Sequence, residues 1–195
     1  FLRLLYARTS TAYSYETGEA MISYTDAQIV ELISERFVGK RVAVLAPVVR
    51  ARKGHYRELF EQIVRMGFIR ARVDGEVVEV SSGYRLDRYK THDIEIVVDR
   101  IRVTATAESR IAQSVETAMS HGKGTIAVLD LDSNELAYFS RQLMCPTTGI
   151  AYQEPEPNTF SFNSPKGACP RCDGLGTTKE VILSKIVPDT VVSIR

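Results

Sequence analysis

Three cysteines carry the pattern with the most chemical content in this chain, and all of them fall between positions 145 and 172. Cys145-Pro146-Thr147-Thr148-Gly149 and Cys169-Pro170-Arg171-Cys172-Asp173-Gly174 share one design. A proline fixes φ after the first sulfur, and a glycine accepts a left-handed turn, so backbone amides can point back at that sulfur. Two such turns, separated by twenty residues between Thr148 and Cys169, have the look of two halves of a zinc knuckle. Structural zinc takes four ligands. Cys145, Cys169 and Cys172 supply three, and Thr148 stands where the fourth sulfur belongs. A hydroxyl is neutral, hard and far less acidic than a thiol, so Thr148 does not replace it. Three readings stay open: a site that has lost its metal, a three-thiolate site completed by water or a carboxylate, and turns that need no metal.

The second feature is charge. The net charge of the 195 residues is only +1, but its distribution is uneven. Residues 40–72 hold nine basic side chains against Glu58 and Glu61, a local excess of seven. Within that stretch, Arg50, Arg52 and Lys53 sit where a strand hands over to a helix, a place where guanidinium groups and amides can hold an anion together. A patch of this kind suits an acidic partner or phosphates. Catalytic constellations are missing. His55, His92 and His121 belong to separate elements, no nucleophile elbow is present, and His121-Gly122-Lys123-Gly124-Thr125 lacks the four-residue loop of a phosphate-binding motif.

The elements that must position these groups are legible from periodicity. Thr25 and Gln28 form a capping box before Ile29, Ile33 and Phe37, which recur at helical spacing. "RVAVLAPVV" (41–49) reads as a buried strand, and "GHYRELFEQIVRMG" (54–67) as a second amphipathic helix. "FIRARVDGEVVEV" (68–80) is a hairpin turned at Asp74-Gly75, which places Arg70 and Arg72 on one strand face. "HDIEIVVDRIRV" (92–103) is a strand whose alternation slips near Asp99 and Arg100, the mark of a bulge. A third helix over 107–121 and a strand pair joined at Ser133-Asn134 complete the module. The expected fold is α/β in the α+β sense: a compact mixed-sheet interaction module with three main helices, followed by a smaller irregular, zinc-knuckle-like unit.

Composition agrees with an ordinary globular chain, at 44% hydrophobic and 25% charged residues. Cysteines confined to Cys-x-x-Cys-type spacing suit a reducing compartment and not a disulfide framework. The first residue is Phe1 in an already apolar lead, so a piece of a longer protein is expected. After Arg141 the texture changes: five of the seven prolines and all three cysteines lie in residues 144–176.

Several stretches together resemble the UvrA family, the ATPase subunit of the bacterial excinuclease ABC: "LRLLYAR" (2–8), "LAPVVRARKGHY" (45–56), "RVDGE" (72–76), "KTHDIEIVVDR" (90–100) and "FSFNSPKGACPRCDGLG" (160–176). The resemblance runs in collinear order over nearly the whole chain. It implies a cytoplasmic DNA-damage sensor of nucleotide excision repair, dimeric and ATP-binding as a whole. Residues 24–142 would be the domain that docks UvrB, and 1–23 and 143–195 parts of the first signature domain. Walker motifs are absent here, so no ATP chemistry is expected of this piece. The resemblance further implies that Arg70 and Arg100 contact UvrB, with Arg72, Arg50, Arg52 and Lys53 as neighbours, and that DNA is reached through the full-length parent. Direct DNA binding by the basic run and the cysteine unit is the alternative. The family's zinc pattern is broken at Thr148, and Ser14 and Thr17 stand where many relatives carry Cys-Pro, so zinc binding is expected to be weak.

Overall fold

The local signals become elements in the expected order. A computed structural model of the chain describes residues 1–152 and 154–178. Its helices and strands begin with α1 (Leu2–Thr9), α2 (Asp26–Arg36), β1 (Arg41–Lys53), α3 (Arg57–Arg65), β2 (Arg70–Val73) and β3 (Glu76–Glu79). They continue with β4 (Thr91–Arg102), α4 (Glu108–His121), β5 (Thr125–Asp130), β6 (Leu136–Ser140), β7 (Leu143–Met144) and β8 (Ala151–Tyr152). The chain divides into two compact units, residues 11–154, and residues 1–10 with those from 155 onward. The part of the expected 143–195 segment beyond 178 lies outside the described residues. No helix among the described residues is long and apolar enough to cross a membrane.

In the larger unit, β1 to β6 form one sheet in the order β3-β2-β4-β1-β5-β6. Every pairing is antiparallel, so the expected mixed sheet is corrected. The reason is topological. The connection through α3 carries the chain from β1 to β2 and that through α4 from β4 to β5, and in each case another strand fills the gap between. These are two interleaved split β-α-β units, in which strands running the same way are never neighbours.

The three expected helices are α2, α3 and α4. The capping box is formed: Thr25 Oγ1 accepts from the Gln28 amide at 3.3 Å, and Gln28 Oε1 accepts from the Thr25 amide at 2.9 Å. Ile29 and Ile33 of α2, Phe60 and Ile63 of α3, and Ile111 and Val115 of α4 are all buried. They pack with Val42, Val44, Ile94, Ile96, Ile126 and Val128 in one core on one side of the sheet. The opposite face carries a smaller cluster, Ala43, Leu45, Val97, Ala127 and Leu129, to which no helix contributes. A fully buried aliphatic side chain contributes about 1.5–3 kcal/mol, so the helix-covered face carries most of the stability.

The hairpin turn is of the expected kind, with positive φ at Asp74 (51°) and Gly75 (95°). It is also tied to β4. Asp74 Oδ1 accepts from the Asp93 amide at 2.8 Å and Oδ2 meets His92 Nδ1 at 2.7 Å. His92 Nε2 lies 2.8 Å from the Asp87 carbonyl, and the ring is buried. Both nitrogens face acceptors, so only the imidazolium can donate to both. The Asp74 carboxylate, then the Asp87 carbonyl, hold the His92 pKa above its usual 6.5 against the effect of burial. This contribution to stability is therefore full below pH 6.5 and lost as pH rises through the higher folded value. The wild-type advantage in unfolding midpoint over His92→Gln is expected to be larger at pH 6 than at pH 9. A pH-independent difference would mean that the buried ring is neutral.

The smaller unit holds the fourth helix. α1 occupies the stretch read only as an apolar lead, because Leu, Arg and Ala are good helix formers. It ends where the Thr9 and Ser10 hydroxyls donate to the Leu5 and Tyr6 carbonyls. Tyr6 packs against Phe160, with ring centroids 5.7 Å apart.

Candidate partner-binding face and the Cys145 turn

The helix-free face of the sheet receives Arg70, Arg72 and Arg100, each for a local reason. Ala71 and Val73 point into the main core, so strict alternation turns Arg70 and Arg72 outward on β2. Arg100 depends on the bulge. Leu45 pairs with Val97 and Val44 with Asp99, so Val98 is the extra residue. Without it Asp99 would share the face of Val97. With it, Asp99 turns to α4, where Arg110 donates to both of its oxygens at 2.7 and 2.8 Å and Ser114 donates at 3.0 Å. The Arg110 guanidinium holds the Asp99 carboxyl below its ordinary range. Arg100 then falls beside Ala43, a residue of the helix-free face.

These arginines are not equivalent. Arg72 bonds Glu95 at 2.7 Å, with the two side chains only 15% and 6% exposed. Arg70 pairs with Glu79 at 3.1 Å on the exposed edge of the sheet. The exposed Arg100 side chain has no ion-pair partner among the described residues. Arg50 is half-buried, stacks its guanidinium 4.8 Å from the centre of the Tyr138 ring and donates to the Gly149 carbonyl. Arg52 and Lys53 are exposed at the end of β1. There Ala51, with φ 46°, donates its amide to Asp93 at 2.8 Å. A cleft of about 410 Å³ opens between Arg50, Arg72, Glu95, Tyr138, Thr148 and Ile150.

The basic excess along the sequence shrinks in space. Lys40 pairs with Asp130 at 2.8 Å, Arg41 with Asp132, and Arg57 and Arg65 both reach Glu61. The Lys40 ammonium is the largest influence holding the Asp130 carboxyl well below its usual range. With Arg70 and Arg72 also paired, Arg50, Arg52 and Lys53 alone keep no ion-pair partner among the described residues of that stretch. Apart from Glu61, which the local count already includes, the acids responsible come from β3, β4, the end of β5 and the β5–β6 connection, which local counting along the chain does not register.

The Cys145 turn lies in the larger unit, with Cys145 itself fully buried and Pro146 and Thr147 exposed. Gly149 donates its amide to the Cys145 carbonyl at 2.9 Å, closing the expected turn. The sulfur meets Thr17 Oγ1 at 3.3 Å and donates to Glu19 Oε2 at 3.5 Å. Burial pushes the thiol pKa up, but hydrogen bonds from Thr148, Thr17 and Ser14 outweigh it and bring the value down to about 7. Cys169 and Cys172 lie in the other unit. Their turn also has the expected shape: Asp173 and Gly174 take positive φ, and Asp173 donates its amide to the Cys169 carbonyl at 2.8 Å. Backbone amides of Arg171 and Cys172 lower the Cys169 pKa, as a turn wrapped on its first sulfur requires. The described residues contain no group of three or more His, Cys, Asp or Glu placed to hold a metal ion. Around Cys145 the donor set is one thiol, one carboxylate and several hydroxyls, which does not fit structural zinc. The neighbours of the sulfur beyond its own turn are Ser14, Thr17 and Glu19. Of these, Ser14 and Thr17 are marked by the family resemblance, and Ser14-x-x-Thr17 also repeats the spacing of Cys145-x-x-Thr148, whereas Glu19 carries no signal.

Comparison with known proteins adds a family. The model of the UvrA interaction domain matches residues 25–132. The chain is 43% identical over 192 residues to the UvrABC system protein A of Methanothermobacter thermautotrophicus, covering 96% of this chain and 20% of that protein. It is 42% identical over 182 residues to the Thermus thermophilus protein of the same name, covering 92% of this chain and 19% of that one. Against the Lactococcus lactis protein it is 43% identical over 195 residues, all of this chain and 21% of the relative. The chain thus spans about a fifth of the length of these relatives.

Proposed function

The chain belongs to the UvrA family, and on that premise we propose that it is the portion of a nucleotide excision repair protein that docks UvrB through the helix-free face of its sheet. The observation that carries this reading is the bulge at Val98, which aims an exposed, unpaired Arg100 at that face beside an apolar cluster. Arg70 flanks the cluster, and its exposed pair with Glu79 can exchange for an acidic side chain of the partner at small cost. Arg50, Arg52 and Lys53 extend the positive charge past one end of the face, where it accelerates encounter more than it tightens the complex. ATP binding, dimerisation and the main DNA contacts would then belong to the remaining four-fifths of the parent, and the setting would be the cytoplasm.

Titration of UvrB against the chain tests this. Arg100→Glu is expected to weaken binding about tenfold, and Arg70→Glu with Arg100→Glu together about a hundredfold, in line with charged contacts at an interface rim and core. Binding that survives the double reversal would remove the assignment of this face. Affinity for duplex DNA with a steep salt dependence, and none for UvrB, would favour the direct nucleic-acid reading instead.

A further inference from the structure

We propose that positions 14, 17, 145 and 148 are the four corners of a knuckle frame that this chain closes with hydrogen bonds to one thiol in place of a metal ion. Two short segments meet here. Ser14-x-x-Thr17 lies in a turn in which Ser14 donates its amide to the Glu19 carbonyl at 2.9 Å and Gly18 donates to the Ser14 carbonyl at 3.0 Å. Cys145-x-x-Thr148 lies in the turn closed by Gly149. The backbones are joined beside them by exchanged Ile22 and Met144 hydrogen bonds of 2.9 and 3.0 Å. Each segment therefore presents two side chains with the i, i+3 spacing that Cys-x-x-Cys uses, and both pairs converge on a single point.

That point is the Cys145 sulfur. Thr17 Oγ1 hydrogen bonds to it at 3.3 Å, and the Thr148 and Ser14 hydroxyls join Thr17 in holding its pKa down. Ser14 is 4% exposed and Cys145 is not exposed at all. Glu19 adds a second layer, taking the thiol proton at 3.5 Å on one oxygen and the Thr147 hydroxyl at 2.9 Å on the other. A zinc frame places four soft donors around a cation, and here three corners are hydroxyls that stay protonated at neutral pH. Hydroxyls gathered around a sulfur are an arrangement that can satisfy buried polar atoms without any ion. The result ties residues 128 apart in sequence, at the place where the chain enters and leaves the interaction module. The partner of the Cys145 turn is thus the 14–17 turn of the same unit, an assignment independent of the Cys169 and Cys172 pair.

The test removes the other thiols first, with Cys169→Ser and Cys172→Ser in every arm. On that background the chain is expected to hold less than about one-tenth of a zinc per chain and to unfold at the same temperature with and without a chelator. Adding Ser14→Cys, Thr17→Cys and Thr148→Cys is expected to produce uptake of about one zinc or cobalt per chain, with the absorption of a tetrahedral tetrathiolate cobalt site and a chelator-sensitive unfolding temperature. Stoichiometric zinc on the background overturns the proposal. So does a triple variant that keeps the far-ultraviolet circular dichroism of the background but takes up no metal. If the triple variant does not fold, Thr17→Val decides: it should lower the unfolding temperature equally with and without chelator. An unchanged temperature, or a loss that depends on chelator, overturns the frame.

Discussion

Arg72→Met is expected to lower the unfolding free energy of the chain by about 3–5 kcal/mol, the range for breaking a buried ion pair by removing one partner. The pair is 2.7 Å long and joins neighbouring strands β2 and β4, with Glu95 6% exposed. Without the guanidinium, the Glu95 carboxylate has a choice of staying charged in a poorly solvated place or taking up a proton, and both cost free energy. Replacing both groups, as Arg72→Met with Glu95→Leu, removes the buried charges together and should return most of the loss. Urea unfolding at pH 7 measures all of these. A single variant that loses under about 1 kcal/mol, or a double variant as unstable as the single, would show that the pair is effectively solvated. This outcome bears on docking. Arg72 spends its charge inside the sheet, so a UvrB-binding defect in an Arg72 variant would report on the fold. Reversal of the exposed Arg100, by contrast, should leave stability within about 0.5 kcal/mol, so its binding defect can be read directly.

Most of the fold was legible because the chain follows local rules. A capping box started α2, Asp-Gly turned the hairpin, and the broken alternation before Arg100 marked a bulge that the register confirms within two residues. Two features were not legible, for different reasons. α1 buries none of its side chains, so no amphipathic stripe separates it from an irregular apolar lead. The sheet's wholly antiparallel character follows from which strand fills each gap, and that is a long-range choice no window of residues contains. The site divides in the same way. Strand alternation gave the common face of Arg70 and Arg72, but the charge still free on that face was overstated. The neutralising acids Glu79, Glu95, Asp130 and Asp132 arrive from distant strands and turns. Around Cys145, the search for a fourth sulfur looked along the chain toward Cys169. Beside Thr148, the groups near the sulfur come from the opposite end of the module, from Ser14 and Thr17, which the resemblance marks, and from Glu19, which it does not.

Gly149→Ala should be the most damaging conservative change in the Cys145 turn. Gly149 has φ 66°, and a Cβ there would stand 2.4 Å from Tyr138 Cγ and 2.6 Å from both Cδ atoms. Alanine in this backbone conformation costs about 1–2 kcal/mol by itself. Displacing a packed ring costs about 1–3 kcal/mol more, because the interior gives way only by shifting its neighbours. Tyr138 has little freedom to move, since the Arg50 guanidinium lies 4.8 Å over its ring while donating to the Gly149 carbonyl. The added methyl must therefore break a stack and a hydrogen bond as well as open a contact, and a total loss of about 2–5 kcal/mol is expected. A double-mutant cycle separates the two causes. In a Tyr138→Ala background the steric part disappears, and Gly149→Ala should cost only the backbone part, about 1–2 kcal/mol. Equal costs in both backgrounds would mean that the ring swings aside freely and does not hold the turn. An unequal pair would show that this glycine is kept for the closeness of Tyr138 as much as for its φ. The Cys-Pro-x-x-Gly pattern would then serve sheet packing in this chain, a role that needs no metal and that explains how the turn keeps its shape around a single sulfur.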